Sequence, residues 1–320
     1  MTTPSGRPND DDLPPVIVVG GPTASGKSAL AVELAEGLSG VVINADAMQL
    51  YRELPILTAQ PSASDLKRVP HRLFGVLAAD DPGSVGRWRE LALAAITEAR
   101  DSGMPAIVVG GTGFYLRALT QGIDEIPPVP VDLRAEIEAR YDTQGGEAFR
   151  AGLARHDPVL AARLAPADRQ RLVRAASVLE ATGRPLSDWQ SGEGGTTNSG
   201  LQAHMFVMMP PREALYAACD ARFAAMVAGG ALEEVSEFRT RGIDPRLPLT
   251  KAVGLRELGR HIDGDITLED AIEEGRRATR RYAKRQYTWF RHQSGTADVI
   301  VEQYSESLSV QIFNKVRLFS

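Results

Sequence analysis

Short apolar runs alternate with helical patterns along the chain. Residues 16–19, 41–43, 106–109 and 204–209 are apolar stretches bounded by glycine, proline or polar residues, and each predicts a buried strand. Residues 72–77 give a weaker fifth. Between them, apolar positions recur with helical spacing over 26–38 and 85–99, and several more such patterns follow Pro211. Strands alternating with helices predict an α/β fold, a parallel sheet with helices on both faces.

The alternation breaks at Ile126-Pro127-Pro128-Val129-Pro130, a stiff boundary. From 131 to 187 every pattern is helical. Residues 191–200 are rich in Gly, Ser and Thr and read as a flexible polar link. The sheet pattern returns at His204. The division expected is a core domain of 16–126 and 203–320, carrying an inserted all-helical domain at 127–202. Tethered at both ends, such an insertion is expected to swing over a ligand. Residues 1–15 are polar, acidic and Pro-containing and read as a disordered tail. They lack the basic start and apolar stretch of a secretory signal.

The first apolar run leads into Gly21-Pro22-Thr23-Ala24-Ser25-Gly26-Lys27-Ser28, which fits the phosphate-loop spacing G-x-x-x-x-G-K-S/T. Glycines let backbone N–H groups curl around phosphate oxygens. Lys27 adds a cation, and the Ser28 hydroxyl can hold Mg²⁺. The helix that follows points its positive dipole end at the same oxygens. A ligand with two or more phosphates is expected here.

Asp46 follows the second strand run, where α/β sheets face their ligand crevice. Its carboxylate has three readings: helping to hold Mg²⁺, accepting a proton from a nucleophile, or capping a helix. Gly110-Gly111-Thr112-Gly113 follows the third run, where ATP-hydrolysing phosphate-loop enzymes usually carry an acid. Small residues there permit close backbone approach to a ligand or simply a tight turn. In 127–202, Arg171 and Arg174 share a helix face. With Arg169 and Arg134 they form either a phosphate-facing surface or a solvated one.

Composition adds limits. A hydrophobic content of 43% suits a packed core, and no apolar run approaches the roughly 20 residues needed to span a bilayer. Cys219 is the only cysteine, so no internal disulfide forms, which suits a cytoplasmic protein. A monomer is expected. The net charge is −5, yet residues 275–297 hold seven Lys or Arg and no acid. Arg276, Arg277, Arg280, Arg281, Lys284, Arg285 and Arg291 are interleaved there with Tyr282, Tyr287, Trp289 and Phe290. Like charges on one helix cost stability unless an anion compensates, which favours a polyanionic partner. The aromatics read mainly as packing anchors.

These motifs together resemble the tRNA dimethylallyltransferase (tRNA isopentenyltransferase) family. The resemblance runs from about Ile17 to His292. It is carried by GPTASGKS from Gly21, INADAMQLY from Ile43, VGGTGFYL from Val109, DRQRLVRAASVLEATGRPLS from Asp168, KAVGLREL from Lys251 and AKRQYTWFRH from Ala283. It implies that the loop Gly21–Ser28 cradles the diphosphate of dimethylallyl diphosphate rather than ATP. The acceptor it implies is the exocyclic amine of the adenosine 3′ of the tRNA anticodon, with Asp46 as its proton acceptor. It also implies catalytic roles for Lys27, Thr112 and Arg222, with Mg²⁺ on Ser28 and the diphosphate. Contacts to tRNA are implied for Asp46, Ala47, Met48, Gln49, Thr112, Arg134, Gln170, Arg171, Leu172, Val173, Arg174, Lys284 and Arg285. Departures from the family pattern occur at Ala47, Gln60, Arg72, Leu255 and Glu257, none of them in the phosphate loop. The competing readings are a transferase acting on free adenine nucleotides, a small-molecule kinase or regulatory NTPase, and a non-catalytic RNA-binding module.

Overall fold

The computed structural model describes residues 16–124, 126–193 and 201–317. The expected tail and residues 194–200 of the expected link lie outside the described residues. Two units are present. The sheet unit runs to Thr120 and resumes from residue 201. It contains β1 (Val16–Gly20), α1 (Lys27–Leu38), β2 (Val41–Asn44), a 3₁₀ turn (Met48–Leu50), α2 (Ala63–Arg68), β3 (His71–Arg72), α3 (Val85–Asp101), β4 (Ala106–Gly110) and α4 (Gly113–Thr120). The helical unit holds α5 (Val131–Gln144), α6 (Gly146–Leu153), α7 (Pro158–Arg163), α8 (Arg169–Thr182) and α9 (Leu186–Asp188). The sheet unit then adds β5 (Ala203–Met208), α10 (Arg212–Met226), α11 (Leu232–Thr240), α12 (Leu255–Ile262), α13 (Leu268–Gln293), β6 (Asp298–Ile300) and α14 (Glu306–Val316).

The sheet has the order β3-β2-β4-β1-β5-β6, and every described pairing is parallel. The inner strands β1, β2 and β4 are buried along their whole length because both faces are covered. Val16 and Val18 enter one core with Trp88, Leu116 and Phe290; Ile17 and Val19 enter another with Leu30, Leu34 and Ile312. Register places the chemistry. Val109 pairs with both Val19 and Asn44, so the ends of β1, β2 and β4 lie level. The segments leaving those ends are the phosphate loop, the Asp46 turn and the Gly110–Gly113 turn.

The fifth strand run is shorter than its sequence suggests. Pairing stops at Arg72, because Leu73 (φ 65°) and Gly75 (φ 61°) turn the chain into left-handed conformations. Beyond the turn, Leu77 forms an isolated parallel bridge with Tyr51. A sixth strand, β6, was not legible: three residues without alternation carry little signal.

The helical unit has its own core, including Ile137, Phe149, Leu160, Leu172 and Val178. Buried Asp157 joins its helices by accepting the backbone N–H groups of Leu160 (2.9 Å) and Ser187 (3.1 Å). A π-helical turn over Trp189–Glu193 takes in the first residues of the expected link. Among the described residues, no helix is long and apolar enough to cross a membrane.

Candidate active site

The phosphate loop is held open by its own backbone. Gly21, Ala24 and Gly26 take φ values of 151°, 62° and 89°, the left-handed region that glycine adopts without strain. Gly26 is required twice over: a Cβ there would lie 2.2 Å from the Cβ of Tyr304, which backs the loop from the chain's C-terminal part. The Tyr304 hydroxyl donates to Glu33 on α1. Lys27 is buried and donates to the Pro22 carbonyl at 3.2 Å. Ser25 is fully buried and its hydroxyl has no hydrogen-bond partner among the described residues, while Ser28 stands exposed at the head of α1.

Asp46 sits on a pedestal made by Asn44. The Asn44 side chain accepts the Asp46 N–H at 2.8 Å and donates to the Asp46 carbonyl at 3.0 Å and the Leu73 carbonyl at 3.0 Å. The Asp46 carboxylate accepts the Met48 N–H at 3.0 Å, closing a local turn. The Thr112 hydroxyl accepts the Ala47 N–H at 2.9 Å, so it ties the Asp46 turn to the glycine turn. Gln49 is committed to structure as well: its amide donates to the carbonyls of Thr58 (3.0 Å) and Ala59 (2.8 Å). Those N–H groups are therefore not free to read a base.

The electrostatics join these pieces. Burial lowers the Lys27 pKa from its ordinary 10.5 to about 8; Arg222 on α10 pushes it the same way, and Asp46 and Cys219 oppose. Burial also lowers the Arg222 pKa, against the pull of Asp46 and then Cys219. Among the described residues no carboxylate lies within ion-pair distance of Lys27 or Arg222. Two desolvated, mutually repelling cations thus share one field with a single carboxylate, an arrangement that an added polyanion relieves. Tyr282 on α13 belongs to the same neighbourhood: burial, and after it Asp46, raises its pKa, so it stays neutral. Cys219 is pushed up to about 11, chiefly by burial, and remains an unreactive thiol.

The Gly110–Gly113 turn is small for a reason the sequence left open. A Cβ on Gly110 would lie 2.1 Å from the Ala45 carbonyl oxygen. A Cβ on Gly111 would lie 2.3 Å from Gln286 Nε2, and one on Gly113 2.1 Å from the Trp289 ring. Phe290 presses on Gly20 in the same way, at 2.9 Å. Gln286, Trp289 and Phe290 share one face of α13, so the glycines form its seat. Gln286 was not singled out from the sequence, although it lies within the motif AKRQYTWFRH and at i−4 to buried Phe290. Its Oε1 accepts the Thr23 N–H at 2.8 Å, which takes that donor out of the phosphate cradle the sequence had placed it in.

The basic run is less uncompensated than its sequence implied. Arg276 and Arg277 pair with Glu273 one turn earlier, and Arg280 with Asp220 on α10 at 2.6 Å. Arg281, Lys284, Arg285 and Arg291 face solvent without a carboxylate ion pair among the described residues; Arg285 lies over the Tyr282 ring.

In the helical unit the expected tRNA set divides. Gln170, Arg171 and Arg174 are exposed on α8. Leu172 and Val173 are buried in the core, so their side chains are not tRNA contacts; helical periodicity turns them to the opposite face. Arg171 pairs with Asp168 at 3.5 Å and Arg134 with Glu138 at 3.0 Å. Partial burial, and after it the Arg134 guanidinium, lowers the Arg174 pKa, so α5 and α8 bring two like charges into one field.

The family model described as IPP transferase matches residues 49–293, and one described as isopentenyl transferase matches 14–74. The chain belongs to the IPP transferase family. A tRNA dimethylallyltransferase from Rhodospirillum centenum is 53% identical over 88% of this chain and 90% of that protein. Among solved structures of this family, the tRNA isopentenylpyrophosphate transferase of Bacillus halodurans is 31% identical, with a TM-score of 0.68, over 95% of this chain and 96% of that one. A eukaryotic dimethylallyltransferase captured acting on tRNA gives a TM-score of 0.76 at 26% identity, over 89% of this chain and 73% of that one.

Proposed function

We propose that this IPP transferase moves a dimethylallyl group from dimethylallyl diphosphate to the exocyclic amine of the adenosine 3′ of a tRNA anticodon, releasing diphosphate. The observation that carries the reading is the shared field of Lys27, Arg222 and Asp46 at the level ends of β1, β2 and β4. Leaving-group charge grows on diphosphate oxygens, and two desolvated cations beside open backbone N–H groups stabilise it more as it grows. An adenine amine is a weak nucleophile until its proton departs, so a fixed acceptor is needed, and Asp46 supplies one. In the transfer, the allylic C–O bond breaks with its electron pair going to diphosphate. The amine nitrogen forms the new C–N bond, and its proton passes to Asp46.

We assign Mg²⁺ to the Ser28 hydroxyl and the substrate diphosphate. Among the described residues no cluster of three His, Cys, Asp or Glu side chains could hold a metal. Mg²⁺ keeps most of its water and binds largely through substrate phosphates, so the exposed Ser28 hydroxyl and the diphosphate are a sufficient set. When bound, the ion neutralises diphosphate charge.

The acceptor base must leave its stack to reach Asp46. We assign Ala47, Met48 and Thr112 to the surroundings of that base. Lys284 and Arg285, with Arg134, Gln170, Arg171 and Arg174 of the helical unit, are assigned to tRNA phosphates and neighbouring nucleotides. The test offers purified protein dimethylallyl diphosphate, Mg²⁺ and unmodified tRNA, AMP or no acceptor, with ATP hydrolysis measured in parallel. Prenylated adenosine in tRNA alone is the expected result. Product on AMP alone, or ATP turnover without prenyl transfer, overturns the reading.

A further inference from the structure

Gln286 is a buried polar side chain, 6% exposed, on the α13 face that seats on the glycine turn. Both ends of its amide are used. Oε1 accepts the backbone N–H of Thr23 in the phosphate loop at 2.8 Å. Nε2 donates to the backbone carbonyl of Gly111 at 2.9 Å. These partners belong to different loops, 263 and 175 residues away in sequence. The glycine turn in turn bonds the carboxylate turn twice. The Thr112 N–H donates to the Ala45 carbonyl at 3.3 Å, and the Thr112 hydroxyl accepts the Ala47 N–H at 2.9 Å. A continuous chain therefore runs from the phosphate loop through Gln286 to the turn presenting Asp46.

Packing alone does not account for this residue. A leucine would fill the volume without the cost of desolvating an amide. What the amide adds is direction: two fixed hydrogen bonds to the two backbone segments that leave the paired strands β1 and β4. Resting on the prenyl-transfer reading above, we infer that Gln286 is a positioning residue. It sets the separation between the diphosphate cradle and the proton acceptor, and so the alignment of donor carbon and acceptor nitrogen. It touches neither substrate. Its effect belongs to the chemical step, where a misplacement of about 1 Å can cost about 100-fold.

The test uses full-length protein with Gln286→Leu, Gln286→Glu and Gly111→Ala, each checked for native circular dichroism. Gln286→Leu loses both bonds. Gln286→Glu keeps the acceptor for Thr23 and loses the donor to Gly111. Gly111→Ala drives a methyl into Nε2. In single-turnover prenylation of tRNA, Gln286→Leu and Gly111→Ala are expected to slow the step by about 100-fold, and Gln286→Glu by less. The separate affinities for diphosphate and for tRNA should stay within about threefold. The same Gln286→Leu change made in an Asp46→Asn background should cost less than about threefold, because no proton acceptor remains to be aligned. Equal losses in both backgrounds, a loss of affinity at unchanged rate, or no loss at all overturns the inference. Wild-type turnover tests the functional reading separately. Should the wild type transfer no prenyl group, amide exchange decides the clamp by itself. Exchange over residues 21–26 and 110–113 must speed up in Gln286→Leu while α1 stays protected, and unchanged exchange overturns the inference.

Discussion

Replacing Asp46 by Asn removes the proposed proton acceptor and spares its scaffold. An amide oxygen can still accept the Met48 N–H, and Asn44 still holds the backbone of residue 46. The loss should therefore fall on chemistry. A positioned general base contributes about 10²–10⁴-fold, or about 2.7–5.4 kcal/mol of barrier. A second effect accompanies it. The Asp46 charge supports protonation of Lys27, whose pKa is already lowered to about 8. Removing it lowers that pKa further. Even a tenfold shift in the acid equilibrium would only take the charged fraction at about pH 7.5 from about three-quarters to about one-quarter. That is about a threefold loss of diphosphate affinity, at least thirty-fold smaller than the loss of the base. The two separate experimentally. Quench-flow single turnover, with enzyme saturating over labelled tRNA, reads the first, and titration calorimetry with diphosphate reads the second. An Asp46→Asn rate within about threefold of wild type refutes the reasoning. So does an affinity loss large enough to account for the whole rate loss.

Diphosphate affinity should be flat below about pH 8 and fall by up to about tenfold per pH unit above it. Bound diphosphate restores the charge that burial disfavours on Lys27, so binding takes up a proton in that range; calorimetry in buffers of different ionisation enthalpy measures the uptake. Gly110→Ala should destabilise the sheet unit by about 1–3 kcal/mol or more, since its methyl meets Ala45 backbone at 2.1 Å. Gly86→Ala in α3, with open space around it, should be neutral or stabilising by up to about 1 kcal/mol; denaturant midpoints compare the two. Leu172→Ala should cost about 2–5 kcal/mol in the helical unit. Arg171→Ala should leave the melting temperature unchanged and reduce the salt slope of tRNA binding by about one.

Much of this was legible in the sequence because local patterns carried it. The four apolar runs at 16–19, 41–43, 106–109 and 204–209 announce strands since a parallel sheet buries both faces of each. The phosphate loop declares itself through glycines that only a left-handed backbone explains. What escaped depended on contacts between distant segments. Gln286 reads as one polar residue in a basic helix until α13 is laid on Gly111. The glycine turn stayed ambiguous between ligand and turn because the side chains filling its space, Gln286 and Trp289, come from more than 170 residues away. Arg276, Arg277 and Arg280 looked uncompensated within 275–297, but their carboxylates lie one turn earlier or on α10. Leu172 and Val173 were drawn into the tRNA set by belonging to a contiguous motif, although helix periodicity alone turns them inward.

A crystal structure of the protein with diphosphate and an unmodified anticodon stem-loop puts the whole arrangement to the test. The expected result is diphosphate oxygens against Lys27 and Arg222, with the adenosine amine at about 3 Å from the Asp46 carboxylate. An extruded base lodged away from Asp46, or a diphosphate bound outside the loop from Gly21 to Ser28, contradicts it.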